Sequence, residues 1–128
     1  MYDAIVVGAR VAGSSTALLL ARKGYRVLVV DRATFPSDTL STHQLQLPGG
    51  AALKRWGLLD QVIATNPGQA DRAHLDMDEL AVTGQYPSLD GVNAVYSPRR
   101  YVLDTLLVEA AAVAGAEVRQ EFSVADLL

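Results

Sequence analysis

The chain has 128 residues, half of them apolar, which suits one domain with a real core and leaves little room for a second. Its formal net charge of −3 marks no nucleic-acid or acidic-lipid surface, and the lack of cysteine excludes disulfides, thiolate catalysis and cysteine metal sites. The longest apolar stretch, residues 11–21, carries Gly13, Ser14, Ser15 and Thr16 and is shorter than the roughly 20 residues of a membrane span. Residues 3–7 form a nearly continuous apolar run closed by Gly8, the pattern of a strand buried on both faces of a parallel sheet. This strand follows Met1 and Tyr2 directly and leaves no room for a signal peptide, so a cytoplasmic location is the expectation. Residues 12–23 are good helix formers with Leu18, Leu19 and Leu20 on an apolar face and Gly24 as a stop. Residues 26–30 read as a second buried strand ending at Asp31, so the first part of the chain is a βαβ unit of about 30 residues.

Residues 32–47, rich in Ser, Thr, Asp and Pro, predict a long loop of the kind that is functional or disordered. Pro48 opens a short helix over 48–56, stopped by Gly57, and 58–64 continues as another helical piece before Pro67 and Gly68. From 72 to 83 the period changes to two. Ala73, Leu75 and Met77 alternate with Arg72, His74, Asp76 and Asp78, which predicts antiparallel strands with one wet face, laid beside the parallel sheet. Asp90-Gly91 is the strongest turn signal in the 87–91 link. Residues 99–114 carry Val102, Leu103, Leu106, Leu107 and Ala110 at helical spacing and end at Gly115; residues 117–124 predict a last strand.

The segment Val7-Gly8-Ala9-Arg10-Val11-Ala12-Gly13-Ser14 lies between a buried strand and a helix. A dinucleotide pyrophosphate binds at such a turn because the first helical turn leaves backbone N–H groups unpaired and the helix dipole adds partial positive charge. Gly8 permits the tight turn, Gly13 lets the helix pack close to the sheet, and the small Ala17 keeps that approach close. The usual G-x-G-x-x-G pattern is broken by Arg10 at its middle glycine. Arg10 must therefore take a backbone conformation open to a residue with a Cβ. Its side chain then either points away from the pyrophosphate or curls round to pair with it; a side chain that merely points to solvent is the plain alternative. Asp31, some 20 residues past the glycines, suits the ribose hydroxyls of an adenosine and repels a 2′-phosphate, which disfavours NADP here. The alternative is an Asp31 that only caps its strand.

The residues do not separate FAD from NAD, since both present an ADP half. The runs 8–14 and 24–32 resemble the start of the FAD-dependent monooxygenase and geranylgeranyl-reductase-like flavoproteins. Three more stretches resemble that family: Asp38-Thr39-Leu40-Ser41-Thr42-His43, residues 48–60, and 100–107 with 115–118. The resemblance implies a Rossmann-like FAD-binding domain with a small antiparallel addition. Gly8, Ala9, Arg10, Val11, Ala12 and Gly13 would face the FAD pyrophosphate, Asp31 the adenosine ribose, and Arg32 the adenosine end. Arg100 matches a family arginine that opens its helix and approaches the cofactor. A cation there is unfavourable without an anion nearby, so a phosphate or carboxylate partner is expected; Arg99 is the competitor. Ser41, Thr42 and His43 would lie on a loop returned to the flavin, or else on a solvated loop or cap. His74 is given no role, and Trp56 is expected to fill core.

The family's second FAD motif, a Gly-Asp pair, and its substrate-binding sheet have no counterpart in these residues, and no catalytic group or metal cluster is identified. The expectation is the FAD-binding portion of a larger oxidoreductase. Its parent would hydroxylate, or reduce a double bond of, a small organic substrate with NAD(P)H as reductant. A non-catalytic dinucleotide-binding module and a small NAD-dependent dehydrogenase are the alternatives. Sheet edges left open would favour self-association.

Overall fold

The computed structural model describes residues 1–126 and divides into two compact units, Met1–Leu40 together with the chain from Arg100 onward, and Ser41–Arg99. The first unit is the βαβ unit with one further helix and strand. β1 (Ala4–Val7) leads through α1 (Val11–Arg22) to β2 (Val27–Val30), and parallel pairing aligns Ala4 with Val27 and Val7 with Val30. The last strand of this unit, residues Glu117–Arg119, joins the other side of β2 in parallel, so β2 is central and all four of its residues are buried. That burial on both faces is why Val27-Leu28-Val29-Val30 shows no alternation.

Helix α1 ends where Gly24, with φ of 86°, takes the left-handed conformation that a side chain would oppose. The Gly24 N–H bonds the Ala21 carbonyl and the Tyr25 N–H that of Leu20, so the last turn is satisfied. The helix over Arg100–Val113 packs against α1, and Ala17, Leu18, Ala21, Leu103, Leu107 and Ala111 form the buried seam with β2.

In the second unit α2 (Leu47–Trp56) and α3 (Leu59–Ala64) precede β3 (Gly68–Ala70), β4 (Arg72–Asp76), β5 (Ala81–Gln85) and β6 (Val95–Ser97). In chain order the Arg100–Val113 helix is α4 and the Glu117–Arg119 strand is β7. β3 pairs antiparallel with β6, and Leu45 forms an isolated bridge to Tyr96. Leu47, Ala51, Leu53, Leu59, Val62, Val95 and Tyr96 are buried. Trp56 is half-buried. Asp90-Gly91 makes the expected turn, both residues at positive φ, with Leu89 and Val92 exchanging backbone bonds across it.

Four expectations change. β1, expected to be buried on both faces, leaves Ile5 and Val7 exposed on one of them, since an apolar run records what a strand can bury and not whether a layer covers it. β4 and β5 form a separate hairpin that pairs with no strand of the parallel sheet among the described residues, and both its faces are exposed. The alternation of Leu75, Met77, Leu80 and Val82 correctly places these residues on one face. That face is wet because an amphipathic period records what a strand can bury and not whether a layer covers it. β6 was not expected, since Val-Tyr-Ser is too short to show a period and its partner β3 starts at a glycine read as a breaker. The predicted strand over 117–124 stops at Arg119. Glu121 turns the chain with φ of 56°, and the Phe122 N–H then bonds the Asp31 carbonyl, folding residues 122–124 across the end of β2.

Candidate functional site

The carboxyl ends of β1 and β2 open onto a cleft of about 660 Å³ in the first unit. Open parallel sheets bind ligands at this edge, where strands hand over to loops and helix N-termini. Its lining contains Gly8, Arg10, Asp31 and Arg32 from the expected set, with Val7, Val30, Ala33, Thr39, Phe122, Ser123 and Val124.

At the turn, Gly8 has φ of 96° and its N–H bonds the Val30 carbonyl, so the strand pairing continues to the point where the chain turns. Gly13 is required by contact: a Cβ built there would run into the Gly8 carbonyl, and would stand 3.2 Å from Val6 Cγ1. Helix and strand approach through this missing side chain. Val11, Ala12 and Gly13 form the first turn of α1, which has no acidic residue and whose N-cap, Arg10, makes no side-chain cap bond. The unpaired N–H groups and positive dipole end of that turn suit an anion. The Ser14 hydroxyl is turned inward and donates to the Ala9 carbonyl.

Asp31 is buried at the end of β2 with both carboxylate oxygens engaged. Oδ2 accepts the Ala9 N–H at 2.7 Å and Oδ1 the Ala33 N–H at 2.8 Å. Asp31 thus ties the glycine turn to the start of the following loop while still lining the cleft. Each carboxylate oxygen accepts more than one bond, so these amides orient the group without exhausting it. Ala9 is itself fully buried and meets the cleft only through this bond. Arg32 is exposed on the lining.

Arg10, expected either to point away from a pyrophosphate or to pair with it, lines the cleft while its guanidinium is engaged by protein groups. Its backbone is extended, φ −80° and ψ −170°, a conformation any residue adopts, so the pattern's middle glycine is not needed for backbone reasons. Its guanidinium turns to protein partners: Nη1 donates to Asp104 Oδ2 at 2.7 Å and to the Ser37 carbonyl at 3.1 Å, and Nη2 donates to Ser37 Oγ at 3.0 Å. The Phe35 ring lies beneath it, 5.3 Å from Cζ to centroid. Arg100, at the start of α4, has a carboxylate as its anion. Its Nε and Nη2 each bond Asp104 at 3.1 Å, one turn along the helix. Asp104 is 0% exposed and is shared by the two arginines. Sequence reading missed it because an Asp inside a helical apolar pattern looks like a surface residue.

Thr42 and His43 belong to the second unit; Thr42 is exposed, and His43 Nδ1 lies 3.1 Å from Ser41 Oγ while its Nε2 is buried without a hydrogen-bond partner. His74 bonds Thr83 across the exposed hairpin. Thr39, from the loop that resembles the family's, lines the cleft, whereas Phe122, Ser123 and Val124 were not anticipated there. For these three the missing signal was the bend at Glu121. Among the described residues no cluster of His, Cys, Asp or Glu has metal-site geometry, and no helix is long and apolar enough to cross a membrane.

A family model described as FAD binding domain matches residues 1–127. Protein FixC of Salmonella typhi is 33% identical over 132 residues, covering 92% of this chain and 28% of its own length. Squalene monooxygenase of Eremothecium gossypii is 42% identical over 62 residues, or 48% of this chain and 12% of that protein. A flavoprotein/dehydrogenase structure from Cytophaga hutchinsonii gives a TM-score of 0.82 at 27% identity, covering 98% of this chain and 31% of its own. The myxobacterial FAD-dependent halogenase CndH gives a TM-score of 0.80 at 23% identity, a likeness of fold, covering 94% of this chain and 28% of its own. The chain spans less than a third of the length of each of these relatives.

Proposed function

Because this chain belongs to the FAD binding domain family, we propose that its cleft receives the ADP half of FAD, with the pyrophosphate at the N-terminus of α1 and the adenosine ribose on Asp31. Its cofactor is FAD, and it is an FAD-binding domain of the flavin-dependent monooxygenase and oxidoreductase family. The observation that carries the placement is Asp31, oriented by the Ala9 and Ala33 amides on the wall of a cleft that Gly8 and Arg10, the residues leading into α1, also line; Val11, Ala12 and Gly13 follow directly in the first turn and are not themselves on the lining. The unpaired amides of Val11, Ala12 and Gly13 take phosphate oxygens, and the absence of acid in that turn leaves the dipole unopposed. Arg32, Ala33 and the Phe122-Ser123-Val124 wall bound the adenosine end, the apolar members giving the base a surface that excludes water.

Bound FAD supplies the electron-transferring group, and the protein grips and orients it. We read the chain as the nucleotide-holding front portion of a longer oxidoreductase, a reading supported by the fraction of each relative that it spans. The whole enzyme hydroxylates an apolar organic substrate or reduces one of its double bonds, with NAD(P)H as the source of electrons. The similarity to a squalene monooxygenase supports this substrate class.

The test is the visible absorption of the purified chain, with and without added FAD. A yellow protein that releases FAD on denaturation supports the reading, and NAD(P)H oxidation is then assayed. A colourless chain that takes up neither FAD nor ADP removes it.

A further inference from the structure

We propose that Arg10 is a positioning residue for the nucleotide: through Asp104 and Ser37 it fastens the loop after β2 to α4 and so holds one wall of the cleft in place, without itself binding phosphate. The inference rests on the assignment of the cleft to the ADP half of FAD. Arg10 stands where a dinucleotide turn usually has the glycine that brings backbone to pyrophosphate, so a phosphate-binding arginine is the first expectation. The geometry points elsewhere. Nη1 serves both Asp104 and the Ser37 carbonyl, Nη2 serves the Ser37 hydroxyl, and the guanidinium face lies over Phe35.

The partner that holds it there is Asp104, whose side chain is fully buried while those of Arg10 and Arg100 are 29% and 18% exposed. A carboxylate out of water is stable only when paired and hydrogen-bonded, and swinging Arg10 to a phosphate would strip it of its shortest bond. Ser37, in turn, lies between two residues of the cleft wall, Ala33 and Thr39, on one continuous loop. The near end of that loop is fixed by the Ala33 N–H on Asp31 and the Phe35 N–H on Gln120. Its far end is gripped at Ser37 by Arg10, at both the carbonyl and the hydroxyl. An arginine has the planar fork to join Asp104 to both Ser37 oxygens; a lysine does not.

The experiment compares ADP and adenosine binding, by calorimetry or NMR titration, for the chain and for Arg10→Gly, which restores the usual glycine, and Arg10→Ala. A positioning role lowers affinity for both ligands by the same factor, about tenfold, the scale of one charge-assisted hydrogen bond. Hydrogen exchange at the amides of 34–40 then quickens, with β2 unchanged. A loss confined to ADP, with adenosine unaffected, means that Arg10 binds phosphate directly and overturns the proposal. Equal or improved affinity in Arg10→Gly overturns it as well. Should the Arg10 variants not fold, Ser37→Ala is expected to weaken both ligands in the same proportion, and unchanged binding there counts against the tie. Failure of the unaltered chain to take up either ligand sinks the cleft assignment and this proposal with it; normal uptake with unaffected variants sinks this proposal alone.

Discussion

At the residue scale, two carboxylates of the first unit divide the work. Asp31 is held by two backbone amides and faces the cleft; Asp104 is held by two guanidiniums and is fully buried. Replacing Asp31 with Ala is expected to weaken ADP binding by about 1–3 kcal/mol in a calorimetric titration, the range for hydrogen bonds to a charged group. Unchanged affinity would place the ribose elsewhere. Replacing Asp104 with Ala leaves two guanidiniums facing each other with no counter-charge. Denaturant titration should then show a loss on the order of 2–3 kcal/mol, below the range for wholly buried pairs because both arginines keep some water. Asp31 and its two glycines are legible from type and spacing alone. Asp104 is not, because its role depends on an arginine 94 positions away.

At the element scale, the close approach of α1 to β1 depends on Gly13. A Gly13→Val variant places its side chain in the Gly8 carbonyl, and the expected outcome is loss of both cooperative unfolding and ADP uptake. A stable, ligand-competent variant would remove this assignment. The opposite end of the sheet is closed by Asp3, which accepts the Arg26 backbone N–H at 2.7 Å and pairs with the Arg26 guanidinium. The Arg26 side chain, then its backbone N–H, holds the Asp3 carboxyl below its ordinary value of 3.8. A depressed carboxyl stabilises the fold fully above the unfolded value and loses that contribution as pH falls through the folded one. Melting temperatures of the chain and of Asp3→Asn should therefore differ at neutral pH and converge once the pH has fallen below 3.8; a constant gap would mean that the charge is not the cause.

On the scale of the whole molecule, apolar surface remains unpaired in each unit. β1 is an edge strand, with Ile5 63% and Val7 61% exposed, and the β4–β5 hairpin exposes Leu75, Met77, Leu80 and Val82. A two-stranded hairpin is marginal by itself, and an open strand edge offers a template for pairing. Self-association that rises with concentration is the expectation, measured by light scattering, and Ile5→Lys should reduce it. A clean monomer at high concentration would refute it.

The sequence by itself determined the βαβ unit, the glycine turn, the Asp31 position and the family. These rest on local signals, apolar runs, a helix stop and a fixed spacing, which survive in one dimension because the physics behind them acts within a few turns of chain. Tertiary structure alone decided where Arg10 points, that Asp104 balances both it and Arg100, and that the bend at Glu121 brings residues 122–124 to the cleft. The Arg100–Asp104 pair is local, one helical turn apart, but its sharing with Arg10 and the position of residues 122–124 depend on partners brought close only by folding. An extended Arg10 backbone allows many side-chain directions, and the fully buried carboxylate that selects one of them belongs to a helix near the other end of the chain.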